Sequence, residues 1–187
     1  MNNYVIEIQE ELRGKNYIFR TKPGVFSKNK IDPGSRLLIE AMEVRPTDLI
    51  LEIGCGYGPI GVVAASLASQ GRAILVDSNI RAVRLAEENI KLNSLTNATA
   101  LLSDGFEAVN NRQFSVILCN PPSSSGIEIF EEFCQDSFSH LKLGGKLYFV
   151  TQSRLKNAVK GIFERILGNF EIADRNAKYT VSLATKS

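Results

Sequence analysis

The order of apolar and polar positions predicts a hairpin followed by strands and helices in regular alternation. Residues 3–10 and 15–20 alternate apolar and polar side chains on either side of Arg13-Gly14, which predicts a β-hairpin. From residue 48 onward, short apolar runs alternate with longer stretches of helical spacing. The predicted core strands are 48–54, 72–77, 98–103, 114–120, 146–151, 170–174 and 178–184, and the predicted helices are 37–44, 60–68, 80–92, 127–141 and 155–167.

This alternation predicts an α/β fold. We expect a doubly wound, mostly parallel seven-stranded sheet with helices on both faces and an N-terminal β-hairpin extension. The 187 residues suffice for one domain with a sizeable core but not for two, so residues 1–187 are predicted to form a single domain. Sheets of this kind bind ligands beyond the carboxyl ends of their strands, where the functional residues are expected.

Composition narrows the class of protein. The chain is 44% hydrophobic and 22% charged, and its longest apolar runs, such as 64–67 and 147–150, are too short to cross a membrane. The N-terminus lacks the apolar segment of a signal peptide. Cys55, Cys119 and Cys134 lack metal-ligand spacing, and their odd number argues against a disulfide framework. We therefore expect a reduced, cytoplasmic protein with no metal and no membrane partner.

Charge is distributed unevenly around a net value of +2. Residues 13–30 hold six lysines and arginines and no acid, and residues 154–187 hold seven against three acids. Residues 37–153 hold eight against thirteen acids. These charge runs are interpreted in one of two ways. They are either solvated surface, or the basic ends meet a polyanion while the acidic centre holds a cationic ligand.

A glycine-rich loop follows the first core strand, in the order Glu52-Ile53-Gly54-Cys55-Gly56-Tyr57-Gly58. Gly56 begins a GxGxxG pattern, and Asp77 closes the next strand 21 residues later, so an NAD-dependent dehydrogenase is one hypothesis. Glu52 disfavours it, because a carboxylate there would repel a pyrophosphate but would suit a sulfonium or an ammonium group. The series E-x-G-x-G-x-G instead resembles the nucleotide loop of class I S-adenosylmethionine-dependent methyltransferases.

The resemblance implies a cofactor site for S-adenosylmethionine. Glu52 would support the loop or the ligand's amino group, and Asp77 would bind both ribose hydroxyls. Asp104 would meet the adenine amino group while Phe106 covers the ring, although Asp104 is also interpretable as a turn residue before Gly105. The implied cofactor-binding residues are Glu52, Gly54, Cys55, Gly56, Tyr57, Gly58, Asp77, Ser78, Asn79, Asp104, Gly105, Phe106 and Asn120.

The fourth core strand ends in Asn120-Pro121-Pro122, the implied catalytic residues. This resembles the NPP[YFW] motif of enzymes that methylate exocyclic amines of adenine or guanine, or a glutamine amide. Two prolines fix the backbone of the turn. The Asn120 side-chain oxygen and the Pro121 carbonyl would accept from the NH₂ group, so no strong base is needed. His140, the one histidine, is interpreted as a residue at a helix C-terminus.

The sequence departs from this motif at Ser123, where an aromatic residue normally stacks on the target base. Phe26 is the candidate replacement, although an ordinary core aromatic is the alternative interpretation. Residues 19–38 resemble the lead-in of the "methyltransferase small domain" family, which includes RsmC-like ribosomal RNA guanine-N2 methyltransferases. The likeness is strongest to short, stand-alone archaeal members.

The family resemblance divides the chain and assigns a substrate site. Residues 1–32 would form the hairpin and an active-site flap, and residues 33–187 the catalytic core. Phe26, Ser27 and Ser123 would contact the substrate, and Asp32 would anchor the flap.

The resemblance implies S-adenosylmethionine-dependent methylation of an exocyclic nucleobase amine, with guanine N2 in ribosomal RNA as the preferred target. The RNA would contact the basic hairpin. Alternatives are a protein glutamine or adenine N6 methyltransferase, and a non-catalytic S-adenosylmethionine-binding module associated with RNA. The oligomeric state does not follow from the sequence.

Overall fold

A two-stranded antiparallel hairpin opens the fold. The computed structural model describes residues 4–27, 29–122 and 126–187. Strands β1 (Ile6–Leu12) and β2 (Lys15–Thr21) pair from Ile6 opposite Thr21 to Leu12 opposite Lys15. Arg13 and Gly14 both have positive φ, 53° and 73°, which suits the tight turn between twisted strands. The predicted hairpin is confirmed.

The remaining strands form one seven-stranded sheet in the order β5-β4-β3-β6-β7-β9-β8. Strand β9 runs antiparallel to both neighbours, and the other pairings are parallel. The strand order reverses between β3 and β6, which lie side by side at the centre, and the predicted fold class is confirmed. The strands are β3 (Leu49–Ile53), β4 (Arg72–Asp77), β5 (Ala98–Leu102), β6 (Phe114–Cys119), β7 (Leu141–Gln152), β8 (Glu171–Arg175) and β9 (Tyr179–Thr185).

Five helices cover the sheet: α1 (Pro33–Ala41), α2 (Pro59–Leu67), α3 (Ile80–Leu92), α4 (Ile127–His140) and α5 (Lys156–Ile166). Helix α1 begins four residues before the predicted start at 37. The Asp32 side chain accepts from the backbone N–H of Ser35 at its N-terminus, and Pro33 takes the first helical position. Within the described ranges, no helix has the length and apolar character needed to cross a bilayer.

The two faces of the sheet carry separate apolar cores. Helices α1–α3 cover one face, whose core includes Ile50 and Leu75, and α4 and α5 cover the other around Phe149. The hairpin contributes Leu12 and Phe19, both fully buried, to the first core. Since burying one large apolar side chain stabilises a fold by about 1.5–3 kcal/mol, the hairpin is part of the domain.

Asn89 on α3 ties the hairpin to the glycine loop. This residue is fully buried, and its Oδ1 accepts from the Arg20 N–H at 2.6 Å. Its Nδ2 donates to the carbonyls of Arg20 at 2.9 Å and Tyr57 at 2.8 Å. One side chain therefore fixes β2 and the loop after β3 relative to each other.

Candidate active site

A cavity of about 550 Å³ opens at the carboxyl edge of the sheet, where the strand order reverses. The loop after β3 forms its floor, and Asp77, Gly105 and Asn120 follow the next strands around it. The predicted site residues that line it are Glu52, Gly54, Cys55, Gly56, Tyr57, Asp77, Ser78, Asn79, Gly105, Asn120, Pro121, Pro122, Phe26 and Ser27.

The glycine loop presents bare backbone to open space. Gly54 and Gly56 have φ of +67° and +57°, and a Cβ on either would meet no atom within 4 Å. Gly58, with φ of +89°, instead faces inward, where a Cβ would lie 3.1 Å from Leu75 and 3.2 Å from Ala86. Two glycines thus leave room for a ligand, and the third permits close packing of the loop on α3.

Asp77 fixes the loop at the end of β4. One carboxylate oxygen accepts from the Gly56 N–H at 2.8 Å, and the other accepts from the Asn79 N–H, also at 2.8 Å. Because each carboxylate oxygen has a second lone pair, Asp77 can still accept from hydroxyl groups in the cavity.

The Asn120 amide is held in one orientation. Its Nδ2 donates to Asp32 Oδ2 at 2.9 Å and to Ser35 Oγ at 2.8 Å. A carboxylate only accepts, so the amide nitrogen must face Asp32. Both amide hydrogens are thereby used, and among the described residues none donates to the Asn120 oxygen. Oδ1 is left to accept from a ligand.

The sequence predicted Asp32 as an anchor but missed Ser35. The capping pattern from Asp32 to Ser35 signals a helix start, and Asp32 Oδ2 does accept from the Ser35 N–H at 2.9 Å. Nothing local shows that the same two side chains hold an amide 85 and 88 residues away.

Phe26 lies at the junction of two cavities. It is 63% exposed, which overturns the alternative that it is a core aromatic. It lines the main cavity and a smaller one of about 110 Å³, and Asn120 to Pro122 border both. Ser27 has a positive φ of 55°, and its hydroxyl donates to the Lys30 carbonyl at 2.6 Å. Ser123 lies outside the described residues.

The model of the family described as "Methyltransferase small domain" matches residues 16–183. The chain belongs to this family. The predicted family and the predicted methyltransferase activity are confirmed, and the dehydrogenase hypothesis is set aside.

Named relatives are consistent with this membership. A Bacillus subtilis (strain 168) protein named "Uncharacterized protein YbxB" is 36% identical over 179 residues, 94% of this chain and 89% of that protein. Ribosomal RNA small subunit methyltransferase C of Hamiltonella defensa is 31% identical over 91% of this chain and 51% of that one. The predicted likeness to archaeal members stays a prediction.

A solved structure shares the fold over the whole chain. It is the 16S rRNA N2 G1207 methyltransferase RsmC of T. thermophilus in complex with AdoMet and guanosine. The TM-score is 0.89 at 28% identity, and the match covers 100% of this chain and 52% of that one. The chain thus spans about half the length of the RsmC proteins that it matches.

Three described residues that were predicted to bind the cofactor do not line the main cavity of this methyltransferase: Gly58, Asp104 and Phe106. Phe106 is 5% exposed and stacks on His140, with ring centroids 4.7 Å apart. Asp104 is exposed and borders, with Phe106, an adjoining cavity under α4 that shares Gly54, Gly105 and Asn120 with the main one. The Phe106 side chain packs against Phe133, and its role in covering the adenine ring stays a prediction. His140 ends α4, as predicted.

The hairpin of the methyltransferase is less basic than the sequence suggested. Strand β1 brings Glu7, Glu10 and Glu11 alongside the basic strand. Arg20 lies 3.6 Å from Glu7, and the Arg13 guanidinium donates to the α1-end carbonyls of Glu40 and Met42. Contact between the hairpin and RNA stays a prediction.

Glu52 supports the loop from beneath. It is 2% exposed, and its Oε2 accepts from the Gly61 N–H at 2.8 Å, so the loop-supporting role is the one seen. Burial, and then the Asp77 charge, raise the Glu52 pKa well above 4.5. Glu52 also lines the cavity, so contact with a ligand amino group remains a proposal.

Glu52→Gln is expected to flatten the pH dependence of stability. A carboxyl whose pKa is raised on folding favours the protonated native state, so stability falls as pH climbs from 4.5 towards the raised pKa. Glutamine accepts from Gly61 without this titration. The urea midpoint of the variant minus that of the unsubstituted protein should therefore grow between about pH 5 and about pH 8. The matched control is Glu88→Gln, which makes the same chemical change at an exposed position on α3. A constant difference for Glu52→Gln would contradict the raised pKa.

Proposed function

We propose that the protein methylates the exocyclic amine of a nucleobase, guanine N2 in ribosomal RNA. The observation that carries the proposal is the fixed Asn120 amide, whose nitrogen is held by Asp32 and Ser35 while its oxygen remains open. An oriented acceptor on a rigid double-proline turn beside the cofactor cavity suits an NH₂ group.

The cofactor is S-adenosylmethionine. The family and the AdoMet-bound relative support it, and the cavity fits it. Bare backbone at Gly54 and Gly56 admits close approach, and the Asp77 carboxylate can accept from ribose hydroxyls. Asn79 and Gly105 border the region proposed for the adenine. When bound, the cofactor supplies an electrophilic methyl group on a sulfonium.

The chemistry needs orientation more than proton removal. Asn120 Oδ1 and the Pro121 carbonyl would accept the two N–H bonds of the amine and direct its lone pair at the methyl carbon. When bound, the cofactor would supply the methyl group to the amine nitrogen and keep the electron pair of its S–C bond, and the amine would lose its surplus proton to water. Both acceptors stabilise the positive charge that develops on nitrogen.

The small cavity beside Asn120 is the proposed base site. Thr151 is 6% exposed and lines it, and its hydroxyl has no hydrogen-bond partner among the described residues. The Gln152 oxygen accepts from Arg154 Nε at 2.7 Å, which leaves the Gln152 NH₂ free to donate. An amide at this cavity can bond the polar edge of a base, whereas the Thr151 hydroxyl oxygen is buried beneath it. The names of the relatives, including the guanosine complex, support guanine.

Phe26→Ala is expected to weaken use of RNA. Stacking of a base on an aromatic side chain is worth about 1–3 kcal/mol, so kcat/KM for RNA should fall by about 5- to 150-fold. Phe26→Trp should keep most of the activity. Leu143→Ala, at an 83% exposed position on the opposite edge of the sheet, is the matched control. Steady-state kinetics at varied RNA concentration would measure kcat/KM, and an unchanged value would exclude stacking on Phe26.

The proposed substrate can be tested directly. The protein is incubated with methyl-labelled S-adenosylmethionine and unmodified small- or large-subunit ribosomal RNA, and the RNA is digested to nucleosides. Label in N2-methylguanosine is the expected result. Label in N6-methyladenosine, or only in protein glutamine, would overturn the guanine assignment. Cofactor binding without turnover on any RNA would favour the non-catalytic module.

The cytoplasm is the proposed location. Cys55, Cys119 and Cys134 are free and buried, as expected of a chain in a reducing compartment. Burial raises the pKa of all three thiols, that of Cys134 to about 12.

A further inference from the structure

A second basic surface lies at the carboxyl end of β7. It consists of Arg154 and Lys156, which follow β7, and Arg175 and Lys178, which precede β9; we name these four residues the β7-end patch. The last pair of the two strands, Gln152 opposite Tyr179, brings the segments together. Residues 153–157 and 175–178 contain no acid, and the adjoining Asp174 accepts from the Arg175 N–H at 2.7 Å, so the local charge is +3 with Asp174 counted.

Hydrogen bonds hold the backbone under this patch. The Ser153 N–H donates to the Lys178 carbonyl at 2.8 Å, and Ser153 Oγ donates to the Asn176 carbonyl at 3.3 Å. Asn176 Oδ1 accepts from the N–H groups of Lys178 and Tyr179, both at 2.9 Å. The charges are thus presented from an ordered turn.

The charges of the patch are not neutralised within the described chain. The five ion pairs found among residues 4–27, 29–122 and 126–187 include none of its members. Arg154 donates to Gln152 through Nε alone, so its two terminal nitrogens remain available. This differs from the hairpin, where Arg13 and Arg20 already have partners.

The patch adjoins the proposed base site. Gln152 and Tyr179 line the small cavity together with Asn120, and Lys156 and Arg175 line an open depression of about 340 Å³ immediately beyond them. Strand β7 neighbours β6, and β9 is the next strand. Strand β6 ends at Cys119, opposite Phe149, and β7 runs three residues further, to Gln152. At about 3.3 Å per residue and about 4.8 Å between strands, the patch begins roughly 11–17 Å from the end of β6. Phosphates a few nucleotides from a base at Asn120 lie within that distance.

We propose that the β7-end patch binds the phosphate backbone of the RNA next to the target nucleotide. The inference rests on the proposed function, because the RNA strand bound at the patch must lead to a target base at Asn120. Four cations on a rigid turn, with a net local charge of +3, attract a polyanion irrespective of base sequence. Recognition of the base is left to the adjoining cavity.

The test measures binding of RNA without turnover. The triple variant K156A/R175A/K178A is compared with the unsubstituted protein, using a fluorescein-labelled single-stranded RNA of about 12 nucleotides containing one guanosine. Anisotropy is followed from about 50 to about 200 mM NaCl; each lost phosphate contact should make the salt slope shallower by about 0.7, or about 2 in total. Affinity at the lowest salt should fall by about 10- to 100-fold.

The matched control removes three cations from the opposite edge of the sheet. In R72A/K91A/K142A the net charge changes equally, but these exposed residues lie at the beginning of β4, the end of α3 and the beginning of β7. Its slope should match that of the unsubstituted protein. Cofactor affinity should be the same in all three proteins.

Each remaining outcome separates the two proposals. An unchanged slope in the triple variant, or no RNA binding by the unsubstituted protein, overturns the patch. Equal binding of poly-L-glutamate, lost equally in the triple variant, overturns its assignment to RNA. If the slope falls as expected but the unsubstituted protein methylates no RNA, the patch stands and the proposed function fails.

Discussion

Replacing Asn120 with alanine is expected to abolish methyl transfer while leaving cofactor binding nearly intact. Alanine removes the oriented oxygen that accepts from the amine, and removing one such group typically costs about 10²–10³ in kcat. The loss should appear in kcat rather than in cofactor affinity, because the glycine loop and Asp77 are untouched. Single-turnover methyl transfer and calorimetric titration of S-adenosylmethionine would measure the two quantities.

The control for this variant is Asn16→Ala. Asn16 is exposed on β2 and has the same side chain, so its removal should change neither kcat nor cofactor affinity. An Asn120→Ala protein with full activity would remove the proposed mechanism. Loss of cofactor binding together with activity would place Asn120 in the cofactor site rather than at the amine.

Gly61→Ala is expected to destabilise the fold and Gly161→Ala to stabilise it. A Cβ at Gly61 in α2 would overlap Leu75 and lie 2.5 Å from Glu52 Oε2, whereas a Cβ at Gly161 in α5 would meet no atom within 4 Å. Overpacking of a core costs about 1–3 kcal/mol or more. Alanine at a helical glycine with free space gains about 0.5–1 kcal/mol. The same chemical change should thus have opposite signs.

Urea unfolding of both variants would measure this difference. A fall in the midpoint for Gly61→Ala should be accompanied by weaker cofactor binding, because Gly61 N–H and Glu52 hold the loop together. Gly161→Ala should leave cofactor binding unchanged. Equal stability changes in the two variants would contradict the close contact among Gly61, Leu75 and Glu52.

The sequence predicts most of the fold because its signals are local. Strand β4 and helix α3 have the predicted bounds, since apolar spacing and Asn93 at the helix end mark them. Strand β7 was predicted from 146 but begins at Leu141. Gly144 and Gly145 pair with Lys186, a partner that lies 41 or more residues away and that no local signal reveals.

Residues of the site were predictable where they belong to continuous sequence motifs. The glycine loop and Asn120-Pro121-Pro122 are continuous motifs, and the fold brings both to one cavity. Ser35 was missed because its role arises from a contact between distant segments. The burial of Phe106 was not predictable, because position after a strand does not say whether an apolar ring faces a ligand or the core.

The charge pattern shows a similar limit. Counting from residue 13 leaves out the acids of β1, although the pairing of β1 with β2 places Glu7 opposite Arg20 and Glu11 opposite Asn16 on the outer face of the hairpin. At the other end, the excess of cations in 154–187 is concentrated by the turn before β9. The density of charge on the folded surface therefore differs from the density of charge along the sequence.

Asn89 sets a limit on how far the polypeptide can be shortened. A fragment beginning at Pro33 would contain every strand of the large sheet, yet it would lack the Arg20 backbone that makes two of the three bonds of the Asn89 amide. The amide would then be open to water and free to turn, although its third bond holds the Tyr57 carbonyl. Truncating the N-terminus would therefore disorder the nucleotide loop, although no deleted residue belongs to that loop.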